Sequence, residues 1–327
     1  MKQNSTLKKL YSTKVLKDNN IVAYNRDIDP HFVTGFSDGE ATFSFTISKS
    51  NTTRGWTISP SFSIELHGKD IALLQKINSF FGVGNITIRK RDNQVVYSVK
   101  SLKELHNVIV PHFINYPLLT QKWVDFELFK MFIELMINKE HLTEEGLTKI
   151  VSIRASLGKG LSERLKTHFP DIIPLEKPVM KTTETLNNYW LAGFVSAEGC
   201  FECVIKKSKT TKTGSQVVVR FTINQHSRDT LLFNVIQKHL NCGVVWLDSK
   251  NPVVVFNVSD FSSVFNIVIP FFDKYIIKGA KSADFSDFRK IAFIMNDKVH
   301  LTSEGLNQIK EIKAKMNSKR NHYLDIQ

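Results

Sequence analysis

Apolar and polar residues alternate strictly over one stretch near the start of the chain. Over residues 43–48 every second residue is apolar, and those between are serine or threonine. This period of two predicts a strand with one buried and one polar face. A second strand is expected around residues 62–64. After Asp70 the apolar residues recur at helical spacing, which predicts an amphipathic helix with Asp70 as its N-cap and Gly82 and Gly84 at its end.

The same pattern extends to a complete domain. A short helix from about Pro30 to Gly39 precedes the first strand, and two more strands are expected over about 85–91 and 94–100. The predicted order is therefore αββαββα with additional helices. These later helices are expected near residues 101–113, 120–138 and 143–157. One apolar stripe at helical spacing is interpreted as core: Trp123, Phe126, Ile133, Met136 and Ile137.

The chain contains an internal repeat. The segment KEHLTEEGL at 139–147 recurs as KVHLTSEGL at 298–306, and GFSDGEATF at 35–43 matches GFVSAEGCF at 193–201. A repeat of this size predicts two similar α+β domains related by a pseudo-twofold axis. Pairs aligned by the repeat include His67 with His226, Asp70 with Asp229, and Lys122 with Lys281.

Proline content and the repeat together divide the chain. Residues 166–187 contain three prolines and little apolar periodicity, which is typical of a linker. The expected divisions are an N-terminal extension (1–27), a first domain (28–165), the linker (166–187), a second domain (188–320) and a C-terminal tail (321–327).

Charge narrows the class of partner. The 327 residues include 44 Lys plus Arg against 31 Asp plus Glu, a net charge of +13, which favours a nucleic acid held through its phosphates. No apolar run approaches the roughly 20 residues of a membrane helix, so no membrane partner is expected. Three cysteines cannot form a disulfide framework, and Cys200 and Cys203 lack a second ligand pair for zinc. The basic residues 1–20 have no apolar signal core and are interpreted as a solvated tail in preference to an organellar presequence.

Each domain begins with a helix that carries two small residues four apart and ends in a glutamate. The pairs are Gly35 with Gly39 and Gly193 with Ala197. Small residues at this spacing let two helix backbones approach closely. The glutamates are Glu40 and Glu198, and a carboxylate is unfavourable at a helix C-terminus unless a cation is bound. Two such ends side by side would suit a bridging Mg²⁺, which prefers oxygen ligands.

At this point the chain resembles a known family. LAGFVSAEG at 191–199 is similar to the LAGLIDADG motif, and VTGFSDGEA at 33–41 is a looser second copy. The similarity extends over about residues 28–320 and is specific to single-chain, two-motif LAGLIDADG homing endonucleases of the intron-encoded fungal mitochondrial branch. It implies a monomer with a curved antiparallel DNA-binding sheet in each domain. The implied activity is cutting both strands of a double-stranded DNA site, leaving 5′ phosphates and 3′ overhangs.

The resemblance also implies site residues. Glu40 and Glu198 would bind Mg²⁺ or Mn²⁺ with the backbone carbonyls of Gly39 and Ala197, and Ca²⁺ would support binding without cleavage. Lys122 and Lys281 match a basic residue near the scissile phosphates. Gln225 matches a position that orders water in the active site, whereas Leu66 occupies that position in the first copy, so the two sites are expected to be unequal. The proposed catalytic set is Glu40, Glu198, Lys122, Lys281 and Gln225.

Two positions depart from the motif. Ser196 replaces its first acid, at a position that resembles a helix cap more than a metal ligand. Ala41 replaces its final glycine. If the turn there needs a positive φ, alanine would strain it by about 1 kcal/mol or more.

The polar strand faces are expected to contact DNA, and they differ between the copies, so the target should not be palindromic. A strand of eight to ten residues spans roughly 30 Å, or some nine base pairs, so two copies should cover about 20. The expected base-reading residues are Ser44, Thr46, Ser48, Arg89 and Arg91 in one copy, and Arg220, Thr222 and Asn224, beside Glu202, in the other. The expected phosphate contacts are Lys206, Lys207, Lys209 and Lys212. His67 and His226 are interpreted as turn or phosphate-contacting residues.

Two alternatives remain open on sequence alone. An intron maturase, which would bind group I intron RNA, is built on the same scaffold but often lacks one or both carboxylates. A catalytically silent DNA-binding protein is the other, with Ala41 as its best support. Lysines far outnumber arginines. That bias and the family branch predict a mitochondrial location.

Overall fold

The computed structural model describes residues 27–51, 55–158, 160–180 and 183–317. Nearly all of the predicted N-terminal extension, including the basic residues 1–20, lies outside these described residues, as does the predicted C-terminal tail. Within them, the predicted α+β fold of two similar αββαββα units is confirmed.

The first unit begins with helix α1, which ends at the candidate glutamate of the first motif. Asp29 caps this helix by accepting a hydrogen bond from His31 N (2.8 Å), and Pro30 stands at its first position, where its missing N–H is not needed. The elements of this unit are α1 (Pro30–Glu40), β1 (Ala41–Lys49), β2 (Trp56–His67), α2 (Ile71–Phe81), β3 (Asn85–Arg89), β4 (Gln94–Val99), α3 (Leu102–Glu104, Leu105–Ile109 and Val110–Asn115), α4 (Lys122–Ile137), α5 (Glu144–Ser156) and α6 (Glu163–His168).

The second unit repeats this order from Asn188. Asn187 caps its first helix through hydrogen bonds from the backbone N–H groups of Tyr189 and Trp190. The elements are α7 (Asn188–Glu198), β5 (Gly199–Lys207), β6 (Ser215–His226), α8 (Thr230–Leu240), β7 (Val244–Leu247), β8 (Val253–Val258), α9 (Phe261–Ser263, Val264–Val268 and Ile269–Lys274), α10 (Lys281–Asn296) and α11 (Ser303–Lys313).

Each unit contains a four-stranded antiparallel sheet. The strand orders are β1-β2-β4-β3 and β5-β6-β8-β7. Equivalent phenylalanines stand opposite each other in the registers, Phe43 with Phe62 and Phe201 with Phe221. The alternation predicted over residues 43–48 is confirmed, since its apolar residues are buried and its polar residues lie on the other face.

Aromatic packing dominates the first core. Phe43 contacts the rings of Phe62, Phe113 and Phe126, and Phe45 stacks on another α4 ring. The stripe predicted on this helix is buried at its centre, with Phe126, Ile133 and Met136 in the core and Trp123 packed partly against it. The prediction for Ile137 is wrong. Ile137 is 39% exposed because it is the last residue of α4, where the chain turns into solvent.

Both α3 and α9 contain a π-helical turn before a proline. These turns are Leu105–Ile109 and Val264–Val268, with Pro111 and Pro270 just beyond them. A proline inside a helix removes one backbone donor and clashes with the carbonyl four residues earlier. The wider turn separates that carbonyl from the ring, so the helix continues through the proline.

Helices α1 and α7 pack directly against each other through backbone contacts. A β-carbon built on Gly35 would lie 2.0 Å from Trp190 O, and one on Gly193 would lie 2.1 Å from Phe32 O. No side chain fits at either position, so the close approach predicted from the small residues is confirmed.

The segment after α6 is attached to the first unit. Phe169, Ile172 and Leu175 pack on the first core, and Ser156 Oγ donates to Leu175 O (2.7 Å). In the part of the chain that the structure describes, no helix combines the length and the apolar character needed to cross a bilayer.

Candidate active site and nucleic-acid interface

The packed helices bring the two motif glutamates together. A β-carbon on Gly39 would lie 2.4 Å from Ala197 Cβ and 3.3 Å from Glu198 Oε1, so the helix ends are in contact. Burial raises the pKa of Glu40 to about 7; the charge of Glu198 adds to this rise, and the lysines oppose it. Burial likewise raises the pKa of Glu198, against Lys281, Lys122 and a hydrogen bond from Gln225. The site therefore holds two desolvated carboxylates that favour a cation between them.

The two predicted lysines flank these carboxylates. Lys122 Nζ donates to the carbonyls of Gly39 (2.9 Å) and Ser37 (3.1 Å), and Lys281 Nζ donates to Ala197 O (2.6 Å). Burial lowers the pKa of each ammonium, and the nearby carboxylates oppose that effect. Each lysine is thus held at the C-terminal end of the motif helix of its own unit, close to the glutamates.

The two halves of the site differ beside the glutamates. Gln225 Nε2 donates to Glu198 Oε1 (3.4 Å), whereas Leu66 stands at the equivalent position near Glu40. A cavity of about 290 Å³ opens on the Glu40 side, and its lining includes Leu66, Asp70 and Lys281. The structure therefore brings the seven predicted catalytic and metal-binding residues into one cluster, in which Gln225 is a polar partner of Glu198 and Leu66 stands beside Glu40.

The donor set of this cluster fits a hard divalent cation. Two carboxylates and the carbonyls of Gly39 and Ala197 are oxygen ligands of the kind that Mg²⁺ prefers. In the described part of the chain no group of three or more His, Cys, Asp or Glu side chains forms a metal site of its own. A cation here would need oxygens from elsewhere, which is usual for Mg²⁺ at phosphate substrates.

The motif's first acid has a structural role. Asp38 is buried and accepts hydrogen bonds from Leu119 N (2.9 Å), Thr120 N (3.0 Å) and Trp190 Nε1 (2.8 Å). Its equivalent, Ser196, accepts a bond from Lys278 N (3.1 Å). Both side chains bind the chain just before a lysine-bearing helix, which agrees with the interpretation of this position as a cap.

Asp70 stands at the predicted N-cap position of α2, but its side chain does not cap that helix. Oδ1 accepts instead from Ala280 N (2.6 Å) at the start of α10. Asp229 does the same in reverse, accepting from Gln121 N (2.7 Å) before α4. These contacts between the two units were not predicted from the sequence, although the repeat pairs both aspartates.

Ala41 is not strained. Its φ is −77° and that of Gly199 is −71°, so neither position needs a glycine conformation. The strain expected for alanine at a positive φ therefore does not arise. Glycine is required at 199 because there is no room for a side chain: a β-carbon there would lie 2.5 Å from Val195 Cγ1. Ser37 stands where Val195 does, which leaves room for alanine at 41.

The outer faces of the sheets carry most of the predicted DNA-contacting residues. Thr46, Ser48, Arg220 and Asn224 are exposed, and Ser44 and Thr222 are half-buried on the same faces. One placement in a strand is wrong: Arg91 lies in the turn after β3, because that strand ends at Arg89. The four predicted phosphate contacts lie at one end of the second sheet, at the end of β5 and in the β5–β6 turn: Lys206, Lys207, Lys209 and Lys212.

Two arginines on these faces are paired with acids. Arg89 pairs with Glu65, and Arg220 pairs with Glu202 through its Nε (2.8 Å). Because these pairs are exposed, they are weak and can exchange for other partners.

Among the described residues, the histidines and cysteines form no metal site of three or more ligands. His67 Nδ1 accepts from Lys69 N (3.3 Å) and His226 Nδ1 from Arg228 N (3.2 Å), so both stabilise turns, as one of the two interpretations held. Cys203 is buried, and Cys200 is half-buried on the opposite face of β5. All three cysteines are free.

Paired sheets with basic, polar faces and a carboxylate pair at their junction define a nucleic-acid-processing protein of two pseudo-symmetric domains. The profile described as LAGLIDADG endonuclease matches residues 33–133 and 191–292. The chain belongs to the LAGLIDADG endonuclease family, which confirms the resemblance.

Individual relatives agree. The probable intron-encoded endonucleases 3 and 2 of Neurospora crassa are 39% and 38% identical, over 86% and 88% of this chain. The chain spans 53% and 64% of the length of those two proteins. The homing endonuclease I-SmaMI bound to cleaved DNA is 40% identical, with a TM-score of 0.88, over 91% of this chain and 100% of that one. I-SmaMI bound to uncleaved DNA with calcium ions is 41% identical, with a TM-score of 0.86, over 89% and 99%.

Proposed function

We propose that this protein is a homing endonuclease that binds about 20 base pairs of asymmetric double-stranded DNA and hydrolyses one phosphodiester in each strand, leaving 3′ overhangs. The observation that carries the proposal is the contact between the ends of α1 and α7. It unites two half-buried carboxylates with a lysine on each side. A silent binding protein would have no need of two desolvated carboxylates that repel each other.

The metal would be held by Glu40, Glu198 and the carbonyls of Gly39 and Ala197. When bound, Mg²⁺ or Mn²⁺ would supply water activation and stabilisation of the charge on the leaving oxygen. The raised pKa values of the two glutamates support this role, because a divalent cation offsets both the burial and the repulsion. The calcium-containing complex of I-SmaMI with uncleaved DNA supports the expectation that Ca²⁺ allows binding without cleavage.

The surrounding side chains orient and stabilise the reacting groups. Lys122 and Lys281 would place a positive charge against each scissile phosphate, where charge develops in the transition state. Gln225 would hold water beside Glu198, and Leu66 cannot do so beside Glu40. We therefore expect the two strands to be cut at different rates.

DNA recognition would fall to the outer sheet faces. Side chains of Ser44, Thr46, Ser48, Arg89, Arg220, Thr222 and Asn224 would contact base edges, with Arg91 reaching from its turn. The four lysines at the end of β5 and in the next turn would bind phosphates. Different residues on the two faces support a target without palindromic symmetry.

The remaining proposals concern organisation. We propose that residues 28–165 and 188–320 form the two domains of a monomer, joined by 166–187 with the terminal segments outside. The intron-encoded relatives of a fungus support a mitochondrial origin. Double-stranded DNA is the proposed partner.

The test is cleavage of a randomised duplex library of about 25 base pairs with Mg²⁺, set by the expected footprint. Glu40→Gln and Glu198→Gln should each lower the cleavage rate at least about 100-fold, the size typical of losing one group that stabilises transition-state charge. The control is Glu304→Gln, at an exposed glutamate of α11. Thermal unfolding should show that all three variants are folded. Binding without cutting in every divalent metal would overturn the nuclease, and preferential binding of group I intron RNA would favour a maturase.

A further inference from the structure

One aspartate of each domain binds the backbone of the other domain. Asp70, after β2 of the first domain, accepts a hydrogen bond from Ala280 N, and Asp229, after β6 of the second, accepts one from Gln121 N. The bonds are 2.6 Å and 2.7 Å long. Each donor directly precedes a lysine of the candidate active site: Lys281 follows Ala280, and Lys122 follows Gln121. Each lysine-bearing helix is therefore capped by the opposite domain.

We propose that Asp70 and Asp229 are positioning residues that each hold the catalytic lysine of the other domain in place. The catalytic part of this inference rests on the proposed function. Neither aspartate was assigned a role in the site, and neither is proposed as a metal ligand.

The geometry fixes each lysine at both ends. The aspartate of the other domain holds the backbone just before the lysine, and the ammonium donates to a carbonyl at the end of the motif helix of its own domain, Lys281 to Ala197 and Lys122 to Gly39. A carboxylate bound to the first N–H groups of a helix is favoured by both the hydrogen bond and the helix dipole. Small displacements of a group that acts on a reacting centre have large effects on rate. Loss of the cap should therefore affect the lysine that follows it.

The second domain depends more on its cap than the first. At α4, Asp38 also binds Leu119 N and Thr120 N, and Thr120 Oγ1 accepts from Lys122 N (3.2 Å). At α10, Ser196 accepts from Lys278 N, and Gly279, with no hydroxyl, stands where Thr120 does.

Gly279 leaves the space that the contact between Asp70 and Ala280 requires. Its φ is +75°, and a β-carbon there would lie 2.6 Å from Asp70 Oδ1. A residue with a side chain would push the carboxylate away from Ala280. Lys281 is therefore the lysine whose placement depends most on the opposite domain.

This arrangement couples assembly of the site to docking of the domains. Neither lysine-bearing helix has its full cap unless the other domain is packed against it. The packing of α1 on α7 differs from these caps: it brings the glutamates together, and its helix ends bind the two ammonium groups, but neither helix binds Gln121 N or Ala280 N.

The first experiment needs no DNA. The folded protein is acetylated to low extent with acetic anhydride, and the rate at each lysine is measured by mass spectrometry. Asp70→Ala should raise the rate at Lys281 about fivefold, the size expected for a lost N-cap acceptor, and leave Lys122 unchanged. Asp229→Ala should raise the rate at Lys122 by a smaller factor and leave Lys281 unchanged. The Asp→Asn variants keep an acceptor oxygen and should restore most of the wild-type pattern.

Asp260→Ala is the matched control. Asp260 caps α9 of its own domain by accepting from Ser263 N (2.9 Å), so its loss removes a helix cap without touching the domain interface. It should change the rate at neither lysine. Equal changes at both lysines in either interface variant, or no change in any, would overturn the inference.

The second experiment measures each strand separately on the duplex recovered from the library. Asp70→Ala should reproduce the ratio of strand-cutting rates seen in Lys281→Met, and Asp229→Ala that seen in Lys122→Met. Equal slowing of both strands would mean a general structural role and overturn the proposal. If the wild-type protein cuts no duplex while the acetylation pattern holds, the proposed function fails but the cross-domain placement of the lysines stands.

Discussion

At the scale of single residues, the last position of the motif is alanine in one domain and glycine in the other because the space around it differs. Ala41 and Gly199 share an extended backbone, but a β-carbon at 199 would meet both Val195 Cγ1 (2.5 Å) and Val195 O (2.8 Å). We expect Gly199→Ala to lower the free energy of unfolding by about 1–3 kcal/mol, the usual effect of overpacking. Urea unfolding measures this change.

The reciprocal variant is the control. Ala41→Gly adds freedom to the unfolded chain and should lower the free energy of unfolding by only about 0.5–1 kcal/mol, with no gain in cleavage rate. A stabilised or faster Ala41→Gly protein would restore the idea that alanine strains this turn.

A second residue-scale prediction concerns a buried histidine found in one domain only. Burial lowers the pKa of His112 from its ordinary 6.5 to about 3, with a smaller contribution from His31, and its Nε2 lies 3.1 Å from Thr34 Oγ1. The unfolded chain binds a proton here that the folded chain excludes. This contribution to stability is complete above pH 6.5 and is lost as the pH falls towards 3, at about 1.4 kcal/mol per pH unit.

The second domain provides the substitution that tests this. Phe271 and Ala192 occupy the positions equivalent to His112 and Thr34. We expect His112→Phe with Thr34→Ala to reduce the slope of unfolding free energy against pH between 6 and 4 by up to one proton. An unchanged slope in urea titrations at several pH values would show that His112 is not the group responsible.

At the scale of elements, the helix pair at the interface tolerates no added atoms. Gly35→Ala and Gly193→Ala would each drive a β-carbon into a backbone carbonyl of the other helix. We expect each to lower the free energy of unfolding by more than about 3 kcal/mol, beyond ordinary overpacking, because rigid backbone cannot move aside. Thermal or urea unfolding measures it.

A glycine in open space serves as the comparison. Gly214 has a φ of +68° and nothing within 4 Å of an added β-carbon. Gly214→Ala should lower stability by only about 1–2 kcal/mol, the penalty for a left-handed residue. Similar losses at all three positions would show that the helix contact is more tolerant than its geometry indicates.

Elements were predictable from sequence wherever a local signal determines them. The strand alternation around Phe43 and the glycine end of α2, with Gly82 at φ +66°, were predicted correctly because both depend on neighbouring residues. The hydrogen-bond partner of Asp70 was not predicted. An aspartate before a helix gives the same sequence pattern whether its side chain binds that helix or a distant one. Its true partner, Ala280, is 210 residues away.

The residues of the candidate site were likewise predicted in part. The glutamates were predicted because each ends the motif helix in both repeats. The lysines are also paired by the repeat, but their role was predicted from the resemblance to the LAGLIDADG family. The π-helical turns and the space around Ala41 depend on side chains packed from other elements, and no period in the sequence reports them.

At the scale of the whole molecule, the excess of positive charge and the paired arginines have different consequences for DNA binding. The net charge of +13 favours any duplex, whereas Arg220 is held by Glu202 until a better partner displaces it. Lysines in the β5–β6 turn, such as Lys209, have exposed side chains at the edge of the sheet. Affinity and selectivity should therefore be separable by mutation.

Lys209→Gln and Arg220→Gln should weaken binding in distinct ways. Lys209→Gln should weaken all duplexes alike and reduce the slope of log affinity against log salt by about 0.9, one phosphate contact. Arg220→Gln should relax the preference at one base pair by about 1–3 kcal/mol. Fluorescence anisotropy at several salt concentrations, with the selected duplex and single-base variants, measures both. If Lys209→Gln altered the preference at one base pair while Arg220→Gln weakened all duplexes equally, the assignment of base and phosphate contacts would have to be exchanged.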